Sequence, residues 1–198
     1  MLVLVVLVCA LCLSLATGGR LRYVEDFRLM ALPLGVGAFV AQLLIFTSRG
    51  KALLGGLLPG AYMVTLLMLL AFLLVNRRVF GVPILLAGLV LNIMVIGANL
   101  GRMPADPQAL IATGQLGHAE ELIRNGTAAN VVLMSGETRL NLLGDYIVLP
   151  ILGDMGSAYS PGDLVALVGE AVLVYGMVRK KRSQRVDPAG DKPAGSDS

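Results

Sequence analysis

The sequence predicts an all-α fold: a polytopic bundle of about five transmembrane helices, with an extracytoplasmic cap between spans 4 and 5. Three observations predict it. Hydrophobic residues make up 56% of the 198-residue chain and charged residues only 15%, whereas a soluble domain is about a quarter charged. The apolar residues are Leu, Val, Ala, Ile and Met in long runs without a single Trp, which suits lipid-facing helices better than a soluble core. One polar stretch, Asn99 to Asp163, interrupts the apolar pattern, and basic residues flank the runs.

The first run is Met1 to Thr17. Ser14 and Ala16 resemble a signal-cleavage site, but the run lacks a basic start and its charges follow it at Arg20, Arg22 and Arg28. It therefore reads as a short first span ended by Gly18 and Gly19. The second span is Leu29 to Thr47, with Gln42 as its one strongly polar interior residue. The third is Ala52 to Val75, with Gly55, Gly56, Pro59 and Gly60 in its first half and Arg77-Arg78 behind it. The fourth is Phe80 to Asn99. At ~1.5 Å per residue, runs of this length reach roughly the 30 Å of a bilayer core. Residues 1–99 thus hold spans 1 to 4, residues 100–160 the cap, and residues 161–178 the fifth span. Ser160-Pro161-Gly162-Asp163 starts that last helix, with a Ser cap, Pro at the first helical position and an acid at the third. The tail, 179–198, opens with the basic cluster Arg179 to Arg182, is otherwise rich in Pro, Gly, Asp and Ser, and is expected to be disordered and cytoplasmic.

Basic residues set the threading. With five spans and the N-terminus outside, the inner side receives Arg20, Arg22, Arg28, Arg77, Arg78, the Arg179–Arg182 cluster and Arg185. The outer side receives Arg49, Lys51, Arg102, Arg124 and Arg139, diluted by acids. Cleaving the first run would invert this and put the basic cluster outside. The expected location is the bacterial cytoplasmic membrane, N-terminus out and C-terminus in. Within the cap, Pro107 to Asn125 predicts one or two short helices lying on the membrane surface. Val131 to Met134 is β-prone. Tyr146 to Leu152 is too short to span and is expected to be interfacial or tucked between helices.

On the fourth span Gly81, Gly88, Asn92 and Asn99 fall within ~40° of one face at ~100° per residue. On the fifth, Gly162, Gly169 and Gly176 recur every seven residues. Small residues and amides on one stripe suit close helix contact in lipid. Glu170 is the acid in the middle of the last apolar run. Ionised, it would cost ~2.5 kcal/mol or more there, so it is protonated, paired, or facing a polar cavity; Gln42, Asn92 and Thr65 are the candidate partners. Cys9 and Cys12 form C-x-x-C inside an apolar run, where packing explains them better than redox chemistry. His118, the only histidine, has no ligand spacing around it. Arg102 and Arg139 lie among acids, where ion pairs would pin the loop; capture of an anionic headgroup is the sharper alternative. No hydrolase, zinc-protease or P-loop motif is present, no cofactor or metal is called for, and the basic residues lack the aromatic platform of a nucleic-acid binder.

The ordered motifs Asn99-x-Gly101-Arg102-Met103-Pro104, Glu137-Thr138-Arg139-Leu140 with Leu143-Gly144-Asp145, and Ser160-x-Gly162-Asp163 resemble those of a family of small bacterial multi-pass membrane proteins catalogued as a domain of unknown function. The resemblance covers roughly residues 1 to 180. It implies a bacterial inner-membrane location and a similar helix count, and it implies no activity. Pro161 and Glu170 stand where that pattern has apolar residues, so the resemblance gives no support to Glu170 as a family-wide catalytic acid.

Motifs built of Gly, Asn, Pro and Asp make turns and caps. The function expected first is therefore non-enzymatic: a membrane scaffold or partner-binding subunit, alone or as a homo-oligomer, with the bilayer as its constant partner. The rivals are a small-solute carrier or permeation protein acting as an oligomer, lined by Gln42, Asn92 and Glu170, and an enzyme on a lipid-linked substrate using Asp145 or Asp163 with Arg102.

Overall fold

Helix–helix contact in this chain depends on glycine. The computed structural model describes residues 2–24, 28–149 and 157–179. Its helices are α1 (Leu2–Ala16), α2 (Leu32–Ile45), α3 (Ser48–Leu54), α4 (Leu58–Val75), α5 (Val82–Ala98), α6 (Pro107–Ala112), α7 (Leu116–Asn125) and α8 (Pro161–Met177); the strands are β1 (Met103–Ala105), β2 (Thr127–Ala128) and β3 (Val131–Leu133). The most extensive helix pair is α5 with α8. A Cβ built on Gly88 would lie 2.6 Å from Ala166 N and Gly162 O, and one on Gly169 would lie 2.4 Å from Leu85 N. Gly81 sits against Leu173, and Gly162 against the Asn92 amide. The two glycine stripes therefore face each other, and the backbones touch where side chains would hold them apart.

The long helices alternate in direction. Asn76, after α4, bonds the backbone of Met30, before α2, while Phe46 at the other end of α2 packs its ring on Tyr62. α8 runs antiparallel to α5, because Gly81 meets Leu173 and Gly88 meets Ala166. α1 runs parallel to α8: Ser14 Oγ donates to Tyr175 O at 2.7 Å, and Arg20 N to Val178 O at 2.7 Å. The main core, Leu66, Leu73, Val82, Leu89, Val95, Ile96 and Met103, lies between α4 and α5 and extends into β1.

Two expectations need correction. The fold is mostly helical but not all-α. The 99–160 segment contains a three-stranded sheet in the order β1-β3-β2, with β1 parallel and β2 antiparallel to β3. Met103 pairs with Val131 and Ala105 with Leu133. The helices α6 and α7 pack against this sheet around Ala105, Ala109, Leu110, Ala119, Leu122 and Ala128, so they have a core of their own. The helices are also shorter than the apolar runs. α2 has 14 residues and α1 has 15, because Pro33 fixes the start of α2 and Gly18-Gly19 end α1. Among the described residues one helical stretch, Ser48–Val75, is long and apolar enough to cross a membrane. It begins four residues before the expected third span, because Thr47 caps α3 by accepting from Gly50 N at 3.0 Å. Gly55, at φ +47°, then breaks it ahead of Pro59.

Tyr146–Leu152 lies partly outside the described residues. The described part is extended: Ile147 and Tyr159 exchange backbone hydrogen bonds of 3.0 and 2.9 Å. The tail beyond Arg179 also lies outside them.

The close packing gives a direct test. Gly88→Ala places a methyl against the α8 backbone and should lower the melting temperature of the detergent-solubilised protein by several degrees, since overpacking costs ~1–3 kcal/mol. Gly60→Ala, where a Cβ meets nothing within 4 Å, should leave it unchanged or raise it.

Candidate functional site

The motif residues gather where α5 and α8 meet the cap. At the end of α5, Asn99 takes the C-cap position, Leu100 and Gly101 adopt left-handed φ of 56° and 84°, and Gly101 N returns to Ile96 O at 2.9 Å. This is the six-to-one bond of a Schellman cap. Gly101 is required twice, because a Cβ there would also lie 2.8 Å from Pro59 Cβ. Met103 then buries itself in the main core, and Pro104 is buried beside it.

Asn99 also reaches 40 residues along the chain. Its Nδ2 donates to Arg139 O at 2.8 Å, and its Oδ1 accepts from Arg139 N at 2.8 Å. Two bonds between a side-chain amide and one residue's backbone fix that loop on the helix end. The Arg139 guanidinium takes no part. Among the described residues neither Arg102 nor Arg139 forms an ion pair, so the expected charge-pinned loop is replaced by an amide clamp. Charge pairs at an exposed rim contribute little, whereas paired neutral hydrogen bonds fix geometry. Gly144 lets a second segment approach: a Cβ on it would lie 2.6 Å from Pro104 O. Asp145 N donates to that oxygen at 2.8 Å, and Asp145 O accepts from Asp106 N at 2.9 Å.

The start of α8 is a capping box extended by a third residue. Ser160 Oγ accepts from Asp163 N at 2.9 Å, and Asp163 Oδ2 accepts from Ser160 N at 3.0 Å. Asn92 of α5 completes it: its Nδ2 donates to Asp163 Oδ1 at 2.7 Å, and its Oδ1 accepts from Ser160 Oγ at 3.0 Å. Gly162 provides the space, since a side chain there would collide with the Asn92 amide. Ser160 is fully buried.

Beside this network lies a cleft of about 330 Å³ whose lining includes Val3, Asp145, Tyr159, Asp163 and Glu170. Three carboxylates line it, two from α8 and one, Asp145, from the segment before it. Asp163 is fully engaged as described, but Asp145 Oδ1 and Glu170 Oε2 are buried without a hydrogen-bond partner. Burial pushes the Asp145 carboxyl up to about 8, and the negative charge of Asp163 adds to the effect. Gln42 does not join Asn92 and Glu170 there. It lies on α2, which packs on α4 and α3, and its side chain makes no hydrogen bond among the described residues. Thr65 bonds Tyr62 O within its own helix. Arg102 is half-buried with its Nε unpartnered, and it does not line the cleft. His118 is exposed on α7, both cysteines are free and exposed, and no group of acids, His and Cys among the described residues is arranged to hold a metal.

Residues 26–175 match the sequence profile of DUF5317, a family of unknown function. The chain belongs to that family. The match starts after α1, so the resemblance is narrower than residues 1 to 180. No curated protein and no solved structure matches. Most of the motif residues of this DUF5317 chain, Asn99, Gly101, Gly144, Ser160, Gly162 and Asp163, serve turns, caps and interhelix bonds. The sequence gives no direct signal for Val3, Ser157 and Tyr159 as cleft residues: they are apolar or small loop positions, brought there by the Ile147–Tyr159 pairing and the parallel run of α1 beside α8.

The Asp145 carboxyl makes stability depend on pH in a defined sense. Its acid form is favoured in the folded chain, so its contribution is present in full below its ordinary value of 3.8 and is lost as pH rises to about 8. Asp145→Asn should therefore raise the melting temperature in detergent more at about pH 8.5 than at about pH 5, and change it little below about pH 4. Equal shifts at both pH values would contradict this.

Proposed function

We propose that this DUF5317 protein is a multi-pass membrane protein of about five spans in a bacterial cytoplasmic membrane, with a folded cap on the outer face, and that it binds a partner through that cap without catalysing a reaction. The observation that carries the non-catalytic reading is the use made of the motif residues. Asn99, Ser160, Asp163 and Asn92 spend their polar atoms on one another and on backbone, which leaves no nucleophile–base pair among them. The cap meanwhile presents Leu142 at 82% and Leu100 at 85% exposure, with the Arg139 side chain nearby. Large apolar side chains beside a free arginine are a common composition for a protein contact.

Three features support the membrane reading. The helices expose Leu4, Val8, Phe39, Leu43, Leu44 and Leu67 to their surroundings, more apolar surface than a soluble monomer carries. The most apolar window of Ser48–Val75 is only 28% buried, whereas the core helix of a soluble protein is mostly buried. Arginines lie at the helix ends, Arg20, Arg22, Arg28, Arg77, Arg78 and Arg179 at the end away from the cap, where long side chains can reach headgroups and extend a short helix.

A second reading, a carrier acting as an oligomer, draws on the acidic cleft. The unpartnered oxygens of Asp145 and Glu170 would suit a small cation, and Glu170→Gln would then abolish cation flux into proteoliposomes.

Orientation is tested in a chain whose Cys9 and Cys12 are serine. A cysteine placed at Gly117 should react with a membrane-impermeant maleimide in intact spheroplasts, and one placed at Arg78 only after lysis. The reverse pattern would overturn the threading. For the partner, a photo-crosslinking residue in place of Leu142 should capture one discrete protein in native membranes, with the yield reduced several-fold by Arg139→Ala. Adducts with lipid alone would remove the cap from consideration as a contact surface.

A further inference from the structure

The end of the bundle away from the cap holds a second polar concavity, unlike the first in charge. It measures about 490 Å³ and is lined by Gly18, Arg20, Arg22, Tyr23 and Arg179. Three of those five residues are arginines and none is acidic. The volume falls within the roughly 300–1,000 Å³ usual for small-ligand sites.

The frame of this cavity is fixed by contacts between the end of α1 and the end of α8. Ser14 Oγ bonds Tyr175 O, Gly19 N bonds Ser14 O at 2.8 Å, and Arg20 N bonds Val178 O at 2.7 Å. Gly19 has no room for a side chain, since a Cβ would lie 2.7 Å from Ser14 O. Arg179 is held by Thr17, to the carbonyl at 3.1 Å and the hydroxyl at 2.5 Å, and its guanidinium lies 4.4 Å from the centre of the Tyr175 ring. The Arg22 guanidinium lies over the Tyr23 ring at 5.1 Å. None of the three arginines forms an ion pair among the described residues. The Arg22 and Arg179 guanidinium groups are thus held by hydrogen bonds to neutral groups and by aromatic faces, with Arg20 lining the same concavity, and no counter-charge pairs with them among the described residues.

We propose that this cavity binds the phosphate of an anionic membrane phospholipid. Guanidinium groups match phosphate oxygens in planar, paired geometry, and a basic pocket between helices at the cytoplasmic face is a recurrent way of holding an anionic headgroup. The rim favours a lipid over a free anion. Leu15, Leu21 and Val24 are exposed beside the arginines and offer apolar surface to acyl chains, which inorganic phosphate cannot use. The proposal rests on the membrane reading, in which this end faces the cytoplasm.

The test uses delipidated full-length protein in a neutral detergent. Phosphatidylglycerol should raise its melting temperature at micromolar concentrations, while phosphatidylcholine, glycerol phosphate and inorganic phosphate at the same concentrations should not. The apparent affinity for phosphatidylglycerol should fall at least ten-fold in Arg20→Gln/Arg22→Gln, whose side chains carry none of the frame, and should weaken as salt is raised. Arg77→Gln/Arg78→Gln, on the neighbouring loop, should leave it unchanged. An equal shift with phosphatidylcholine, or full affinity in Arg20→Gln/Arg22→Gln, would overturn the site. An equal shift with inorganic phosphate would overturn the lipid as its source. A chain that fractionates with membranes yet shows no such lipid dependence loses this proposal alone; a chain recovered without membranes loses the reading beneath it.

Discussion

The contact on which the rest of the structure depends is the one between Asn92 and the first turn of α8. In an apolar bundle the hydrophobic effect does not choose among helix registers, because every face is similarly apolar. A pair of directional bonds does. Asn92 gives one hydrogen bond to Asp163 and takes one from Ser160, and both residues are already committed to capping α8. Slide α8 by one residue and three polar groups lose partners together, each loss costing ~1–3 kcal/mol in a buried setting. The glycine contacts below the network depend on that register: Gly88 meets Gly162 and Ala166, and Gly169 meets Leu85, only in this alignment.

The cap is positioned by the same pair of helices. Asn99, two turns beyond Asn92 on α5, holds the Arg139 loop by its backbone. Met103 anchors β1 in the helical core, and β1 orders β3 through a parallel pairing. The Asp145 segment then pairs with Pro104 and Asp106. The chain leaves the helices at Asn99, which bonds the cap, and returns to them at Ser160, which bonds Asn92 across the α5–α8 interface. The cap has a small core of its own, and the helix ends fix where that core sits.

The sequence showed the joints more clearly than the parts between them. Ser-Pro-Gly-Asp is readable as a helix start because each residue has a local job with a known position. The stripe of Gly81, Gly88 and Asn92 is readable because helical periodicity is a property of the sequence itself. Of the sheet only β3 is readable, as the β-prone run Val131 to Met134: β1 and β2 are too short to carry alternation, and the β1–β3 pairing spans two helices. The helix ends were misjudged for a related reason. Hydropathy marks the length of an apolar run, but Pro33, Gly18 and Gly55 decide where hydrogen bonding starts and stops. The ion pair expected of Arg139 is not formed among the described residues, because charge is visible in a sequence whereas the loop is held through its backbone, which every residue has.

The two ends of the bundle differ in charge in a way that bears on its sidedness. The cap end carries a cleft lined by Asp145, Asp163 and Glu170; the far end carries a cavity lined by Arg20, Arg22 and Arg179. Neither set is neutralised by ion pairs among the described residues, and burial of Asp145 without a counter-charge pushes its carboxyl up. A fold optimised for stability alone would have matched acid with base across one short loop. Lining one cleft with acids and the far cavity with bases gives the molecule a polarity along the helix axis. In a membrane that polarity sets orientation, because basic ends are retained on the cytoplasmic side. On the proposed membrane reading, the charge separation that would thread the chain also leaves carboxylates suited to a cation at one end and arginines suited to phosphate at the other.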